Sequence, residues 1–299
     1  MATPEQHRER MVAALAGYDV RDGRVLDAMR RVPRHEFLAH VADLDLVHDV
    51  DRAVAVPGFD PEQVTTSVSA PGIVAVMLQL LELEPGMRVL EIGAGSGYNA
   101  ALLAEIGCTV TAVDIDETLI EPTQQRLAGL GYDVRVVHGD GDLGVPEHAP
   151  YDRVVATVGC NDLSPAWFDQ LAPGGFMLVP LKHGYLHPLV RAADHRSRPV
   201  GRSGFVRMLG RQDELPPWDL PPTDGWDAAY FTALRILPGA AHDDRSIQAT
   251  VDEWRSMGEP PMSDFESTWV PRGTGHGRWV IPRIHHDQVV ALAPTRIPG

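Results

Sequence analysis

The sequence predicts an α/β fold: a doubly wound, mainly parallel sheet with an N-terminal helical cap and a small C-terminal α+β extension. Three observations lead there. From residue 87 onward, short β-branched runs alternate regularly with helical stretches, the pattern of parallel strands joined by right-handed crossovers. Val89–Gly97, VLEIGAGSG, reads as strand, glycine turn and helix entry. Acidic or glycine residues close several of the strands, at Gly93, Asp114 and Asp140, and so fall along one rim of the sheet. Ligands of such sheets bind beyond the carboxyl ends of the strands.

Taken in order, residues 5–17 place Met11, Val12 and Leu15 at helical spacing. Residues 22–31 open with Asp22 as a helix cap and carry Val25, Leu26 and Met29 on one face. Pro33 ends that helix. Residues 41–64 are irregular and acidic, which completes a cap over 1–64. Thr65–Pro71, TTSVSAP, crowds hydroxyl groups ahead of a helix expected over Gly72–Leu83. These hydroxyls read either as spare caps or as the lining of a ligand site. Strands are expected at Val89–Ile92, Thr109–Val113, Val134–His138, Arg153–Thr157 and Phe176–Pro180. Helices are expected at Tyr98–Ile106, Glu117–Leu130 and Pro165–Leu171.

Composition excludes some classes. The 299 residues carry 26 basic and 41 acidic groups, a net charge of −15. Phosphate binding wants a basic surface, so nucleic acid is not the expected partner. Two cysteines, Cys108 and Cys160, make no disulfide framework, and a reducing cytoplasm is expected. No apolar stretch reaches membrane-spanning length, so no membrane partner is expected. His285-His286-Asp287 with His276 fits no compact metal pattern, and no metal is expected. Cys160 has no base beside it in sequence and reads as a small buried thiol. Nothing in the sequence sets an oligomeric state.

The glycine turn names a chemistry only loosely. Glycines let the backbone approach a ligand, and the helix after them presents free N–H groups. Asp114, twenty-one residues past Gly93, is placed to accept hydrogen bonds from ribose hydroxyls. Nicotinamide, flavin and purely structural turns share these features.

The flanking segments narrow the reading. Val25–Phe37 (VLDAMRRVPRHEF), Ser67–Pro71 (SVSAP), Val89–Leu103 (VLEIGAGSGYNAALL), and Gly139–Gly141 followed by Tyr151-Asp152 and Asp169–Gly175 occur in the order of a known family. The chain resembles the protein-L-isoaspartate O-methyltransferase family of class I, Rossmann-like, S-adenosylmethionine-dependent methyltransferases. The match runs over roughly residues 8–210. The resemblance implies S-adenosyl-L-methionine as cofactor, held by Glu91, Gly93, Gly95, Ser96, Asp114, Asp140 and Gly141. It implies Ser69 beside the reacting groups as the catalytic hydroxyl, with Ser67, Val68, Arg34, Val158 and Gly159 at the substrate. It implies methylation of an aspartyl or isoaspartyl carboxylate in a peptide or protein. The ester then closes to a succinimide (an aspartimide) with loss of methanol.

Three departures from the family pattern stand out. The segment after Tyr151-Asp152 is alanine-rich and ends in proline in the family, but here runs Ala156-Thr157-Val158-Gly159-Cys160-Asn161-Asp162. An aromatic common in the family two residues before Asp51 is replaced by Asp49. The family usually ends soon after the strand matching Phe205–Leu209, whereas this chain continues. The core is therefore expected over 65–213 and an extension over 214–299, rich in tryptophan. Helices at Ala228–Ile236 and Ser246–Met257 and strands at Thr268–Val270 and Arg278–Ile281 are expected there. The extension reads as a structural addition or as a recognition module. With the altered 156–162 segment, it tips the expectation toward a specialised peptide-maturation enzyme. General isoaspartyl protein repair and an inactive, cofactor-binding regulator are the alternatives.

Overall fold

A computed structural model describes residues 2–56, 66–160, 163–181, 188–193, 196–203, 205–206, 208–210, 267–271, 277–285 and 288–294. The cap opens with α1 (Pro4–Ala14), where Thr3 and Gln6 form a reciprocal capping box. A turn of 3-10 helix, Leu15–Tyr18, continues it. Helix α2 (Gly23–Arg31) starts at Asp22, whose side chain accepts from the N–H of Arg24. The irregular stretch that follows holds a short α3 (Leu44–Val47), capped by Asp43, and β1 (Val54–Ala55). Strand β2 (Ser67–Val68) pairs antiparallel with β1, Val54 facing Val68. It runs into α4 (Pro71–Leu80).

The sheet follows: β3 (Arg88–Ile92), α5 (Tyr98–Ile106), β4 (Thr109–Asp114), α6 (Glu117–Gly129), β5 (Val134–His138), β6 (Tyr151–Ala156), α7 (Pro165–Asp169) and β7 (Leu171–Pro180). Antiparallel strands complete it: β8 (Pro188–Ala193), β9 (Arg196–Arg202), β10 (Ser267–Pro271), β11 (Gly277–His285) and β12 (Gln288–Pro294). The order is β12-β11-β10-β9-β8-β7-β6-β3-β4-β5, with β5 through β7 parallel. Strand β3 has β4 on one side and β6 on the other, so the winding reverses direction there and leaves a crevice at its carboxyl end. Helices and the cap cover one face in a continuous apolar core that includes Val89, Leu102, Leu103 and Leu78. A second core, with Leu90, Ile92, Val154 and Trp167, fills the other face.

The boundaries differ from expectation in a few places, each for a local reason. Strand β7 begins at Leu171 rather than Phe176, because Leu171 pairs with Tyr151 before the chain bulges at Gly174 and Gly175. Gly174 lies at φ +78°, and a Cβ on Gly175 would stand 2.9 Å from the carbonyl of Ala172, so glycine suits both positions. Of the strand expected over Phe205–Leu209, the described residues 205, 206, 208 and 209 lie in none. Instead Gly159 donates to Val206 O (2.7 Å) and accepts from Met208 N (3.0 Å), which folds this segment back over the carboxyl ends of the strands. The extension's two expected strands occur, within β10 and β11, and they lengthen the main sheet through β9. The two expected helices there lie outside the described residues. So do Asn161, Asp162, His276, His286 and Asp287. Among the described residues no helix is long and apolar enough to cross a membrane.

Candidate active site

The crevice at the end of β3 is a cavity of about 390 Å³. Its floor is the glycine turn. Gly93 and Ala94 both donate to the carbonyl of Val113, which ties the turn to the end of β4. Gly93, Gly95 and Gly97 all have positive φ, at +92°, +51° and +89°. A Cβ on Gly93 would lie 2.7 Å from Cγ1 of Val158. The turn is thus locked from both sides, and Thr157 Oγ1 donates to the Gly93 carbonyl (2.7 Å). From α6, Thr123 donates to the carbonyl of Gly95 and Arg126 to that of Ser96.

Asp114 ends β4 and lines the cavity. Its Oδ2 accepts from Gly95 N (2.8 Å) and its Oδ1 from Asp116 N (3.0 Å). Burial raises its pKa above the ordinary carboxylate value, while these N–H groups pull the other way. Each carboxylate oxygen keeps a lone pair for a ligand hydroxyl.

Glu91 sits beneath the turn, fully buried. Asn99 Nδ2, from α5, donates to its Oε1 (3.0 Å), and Oε2 has no hydrogen-bond partner among the described residues. Burial pushes the Glu91 pKa up to about 8, so it is mostly protonated at neutral pH. A carboxyl whose folded pKa exceeds its ordinary 4.5 binds its proton more tightly folded than unfolded. That contribution to stability is complete below about pH 4.5 and is lost as pH rises through about 8. Glu91→Gln should remove this loss between pH 5 and 8. Urea unfolding at both pH values checks it, and an unchanged pH dependence in the variant would contradict the assignment.

Ser67, Val68 and Ser69 line the same cavity. The carbonyl of Ser69 is held by Arg34, and no hydrogen bond among the described residues engages its hydroxyl. Val158 and Gly141 also face the cavity, Gly141 without room for a Cβ because Ile92 Cγ2 would stand 2.6 Å away. Of the expected site residues, Asp140, Gly159 and Arg34 do not line it. Asp140 accepts from Asp142 N (3.0 Å) and shapes the turn before Gly141. Gly159 carries the backbone pairing to Val206 and Met208. Arg34 is completely buried, with its guanidinium donating to the Ser69 carbonyl. Ile115, Thr157, Val206 and Met208 line the cavity without having been singled out. Ile115 and Thr157 could have been found, since each directly follows a strand of the rim. Val206 and Met208 could not, since only the return of the chain brings them there.

Comparison with known proteins gives the family. The family model for protein-L-isoaspartate(D-aspartate) O-methyltransferase matches residues 6–203. The chain belongs to this family. Protein-L-isoaspartate O-methyltransferase of Methanopyrus kandleri is 39% identical over 223 residues, covering 70% of this chain and 94% of the relative. That of Methanococcoides burtonii is 38% identical over 199 residues, covering 64% and 94%. A solved structure titled protein-L-isoaspartate O-methyltransferase superposes with a TM-score of 0.66 at 23% identity, covering 92% of this chain and 99% of the other. At that identity the likeness speaks for the fold alone. A putative relative from Plasmodium falciparum, solved with S-adenosyl-L-homocysteine, gives 0.56 at 18% identity over 68% of this chain and 98% of the other.

As a member of the protein-L-isoaspartate O-methyltransferase family, this chain is a carboxyl O-methyltransferase, and its cofactor is S-adenosyl-L-methionine. The cavity fits that cofactor on its own evidence. Gly93 leaves no room for a side chain, Asp114 offers a carboxylate at the strand end, and Glu91 has an unpartnered oxygen beneath the turn.

Proposed function

We propose that this enzyme methylates the free carboxylate of isoaspartyl residues in peptides and proteins, as a general repair activity. The observation that carries the reading is that the Ser69 loop and the glycine turn line one cavity. Bound on the turn, S-adenosyl-L-methionine supplies an electrophilic methyl group. The chain then has little acid–base work to do, because the acceptor carboxylate is already ionised at neutral pH. Its residues must align and exclude water. Ser69 orients the incoming carboxylate by donating its hydroxyl to one carboxylate oxygen, leaving the other to attack. Val68, Val74 and Val158 give the cavity dry walls.

The repair reading is preferred to the specialised peptide role first expected. The relatives found bear the name of the isoaspartyl methyltransferase, and none of them is named for a specialised peptide. The division into cap (1–64), core (65–213) and extension (214–299) stands as part of the same reading. The test is mass spectrometry of a synthetic isoaspartyl peptide and its aspartyl isomer after incubation with enzyme and cofactor. A gain of one methyl group on the isoaspartyl peptide alone is expected. Gain on neither, with cofactor still bound by calorimetry, would favour an inactive regulatory protein.

Ser69→Ala should lower kcat on the isoaspartyl peptide by roughly tenfold or more, the scale of one lost hydrogen bond to a charged group. Affinity for S-adenosyl-L-homocysteine should not change. Equal kcat in mutant and wild type would remove Ser69 from the chemistry.

A further inference from the structure

Arg34 occupies a place that its charge does not explain. It follows Pro33 at the start of a 3-10 turn, Arg34–Leu38, and has no exposed surface. No carboxylate pairs with it among the described residues, and its Nη1 has no hydrogen-bond partner. Burying an unpaired guanidinium is costly. An apolar side chain of similar volume would fill the space at lower cost, so its geometry is the informative feature.

The side chain has three engagements. Nε donates to Val47 O (2.7 Å), at the end of α3. Nη2 donates to Ser69 O (2.9 Å). The guanidinium lies 4.7 Å from the centre of the Tyr98 ring. Tyr98 is the first residue of α5 and directly follows Gly97 of the glycine turn. It is itself held by an edge-on contact with Phe37, 5.5 Å between ring centres. One planar group therefore bridges the loop that carries Ser69 and the helix that leaves the cofactor turn.

The loop needs such a bridge. Ala70 is the N-cap of α4 and offers no side-chain cap. Strand β2 pairs with β1 over only two residues. We propose that Arg34 is a positioning residue for methyl transfer: it sets the Ser69 loop at a fixed distance from the cofactor turn without touching the substrate. The proposal rests on the role given above to Ser69. Arginine suits the task where lysine does not, because a rigid fork can donate in two directions while its face rests on a ring.

The test compares wild type, Arg34→Lys, Ser69→Ala and the double variant on a synthetic isoaspartyl peptide. Arg34→Lys should lower kcat by roughly ten- to hundredfold, the effect of misplacing a reacting group. Affinity for S-adenosyl-L-homocysteine should stay within about twofold, because no cofactor contact is lost. In the Ser69→Ala background the same change should lower kcat by no more than about twofold, since residues that act through one another are not additive. Unchanged kcat, a parallel loss of cofactor affinity, or full additivity with Ser69→Ala would each overturn the proposal.

Amide hydrogen exchange over residues 66–70 separates it from the reading of Ser69. If Ser69→Ala alone leaves kcat unchanged, the hydroxyl's role fails. Positioning then stands if exchange in Arg34→Lys is faster than in wild type, and falls if it is not. Should Arg34→Lys not fold, Arg34→Met, close in volume and uncharged, takes its place in each arm.

Discussion

Asp114→Ala should weaken binding of S-adenosyl-L-methionine by about 3 kcal/mol, roughly 150-fold, near the upper end for a hydrogen bond to a charged group. The carboxylate has two tasks. It faces the cavity, where a ribose hydroxyl would be received, and it also accepts the N–H groups of Gly95 and Asp116. Removing it leaves the Gly95 and Asp116 N–H groups without this acceptor, so ligand contact and part of the turn's anchoring are lost together. Asp114→Asn separates the two. Its amide oxygen can still accept from one of the two N–H groups, so about half of the loss should return. Calorimetry with S-adenosyl-L-homocysteine measures all three proteins. Affinity unchanged in Asp114→Ala would show that the ribose assignment is wrong.

Gly93→Ala should be at least as damaging. An alanine at φ +92° is strained by about 1–2 kcal/mol before anything touches it. Its Cβ would also lie 2.7 Å from Val158 Cγ1 and 3.2 Å from Thr157 Oγ1. Overpacking of this kind adds about 1–3 kcal/mol. Relief comes by pushing Val158 into the cavity or by moving the turn, and either one spoils the cofactor's seat. Cofactor affinity should fall more than a hundredfold while circular dichroism shows the fold retained. Normal binding by a folded Gly93→Ala protein would mean that the turn has slack the packing does not suggest. Gly95→Ala gives a graded comparison, because a Cβ there meets only Thr66 Cγ2, at 3.5 Å.

The parallel core was legible because its signals are local. Asp22 and Asp116 cap their helices through their own neighbours' N–H groups, and Gly107 ends α5 in a left-handed conformation that suits glycine. The strands from β3 to β6 are short apolar runs that read directly. The cavity lining was legible where strand ends carry it, at Gly93, Asp114 and Ser69. It was not legible where distant segments meet. Arg34 stands in a motif, but the sequence around it does not show that it is buried. Its burial depends on α3 and α5 closing around it, which no local pattern encodes. Val206 and Met208 belong to a stretch whose composition says nothing of the cavity. Their place comes from two backbone hydrogen bonds to Gly159, whose side-chain-free backbone carries no recognisable signature.

That last pairing redraws the outline of the smallest working unit. Every strand of the parallel sheet is complete by Pro180, and the family match ends at residue 203. A chain shortened at that boundary would keep the glycine turn, Asp114 and the Ser69 loop. It would nevertheless lack one wall, because Val206 and Met208 arrive only after β9 and are stitched to Gly159. The cofactor compartment is assembled like a box whose last panel is hung from a different part of the chain. Circular permutation or domain grafting that respects the sheet but separates Gly159 from 206–208 would leave that box open to water.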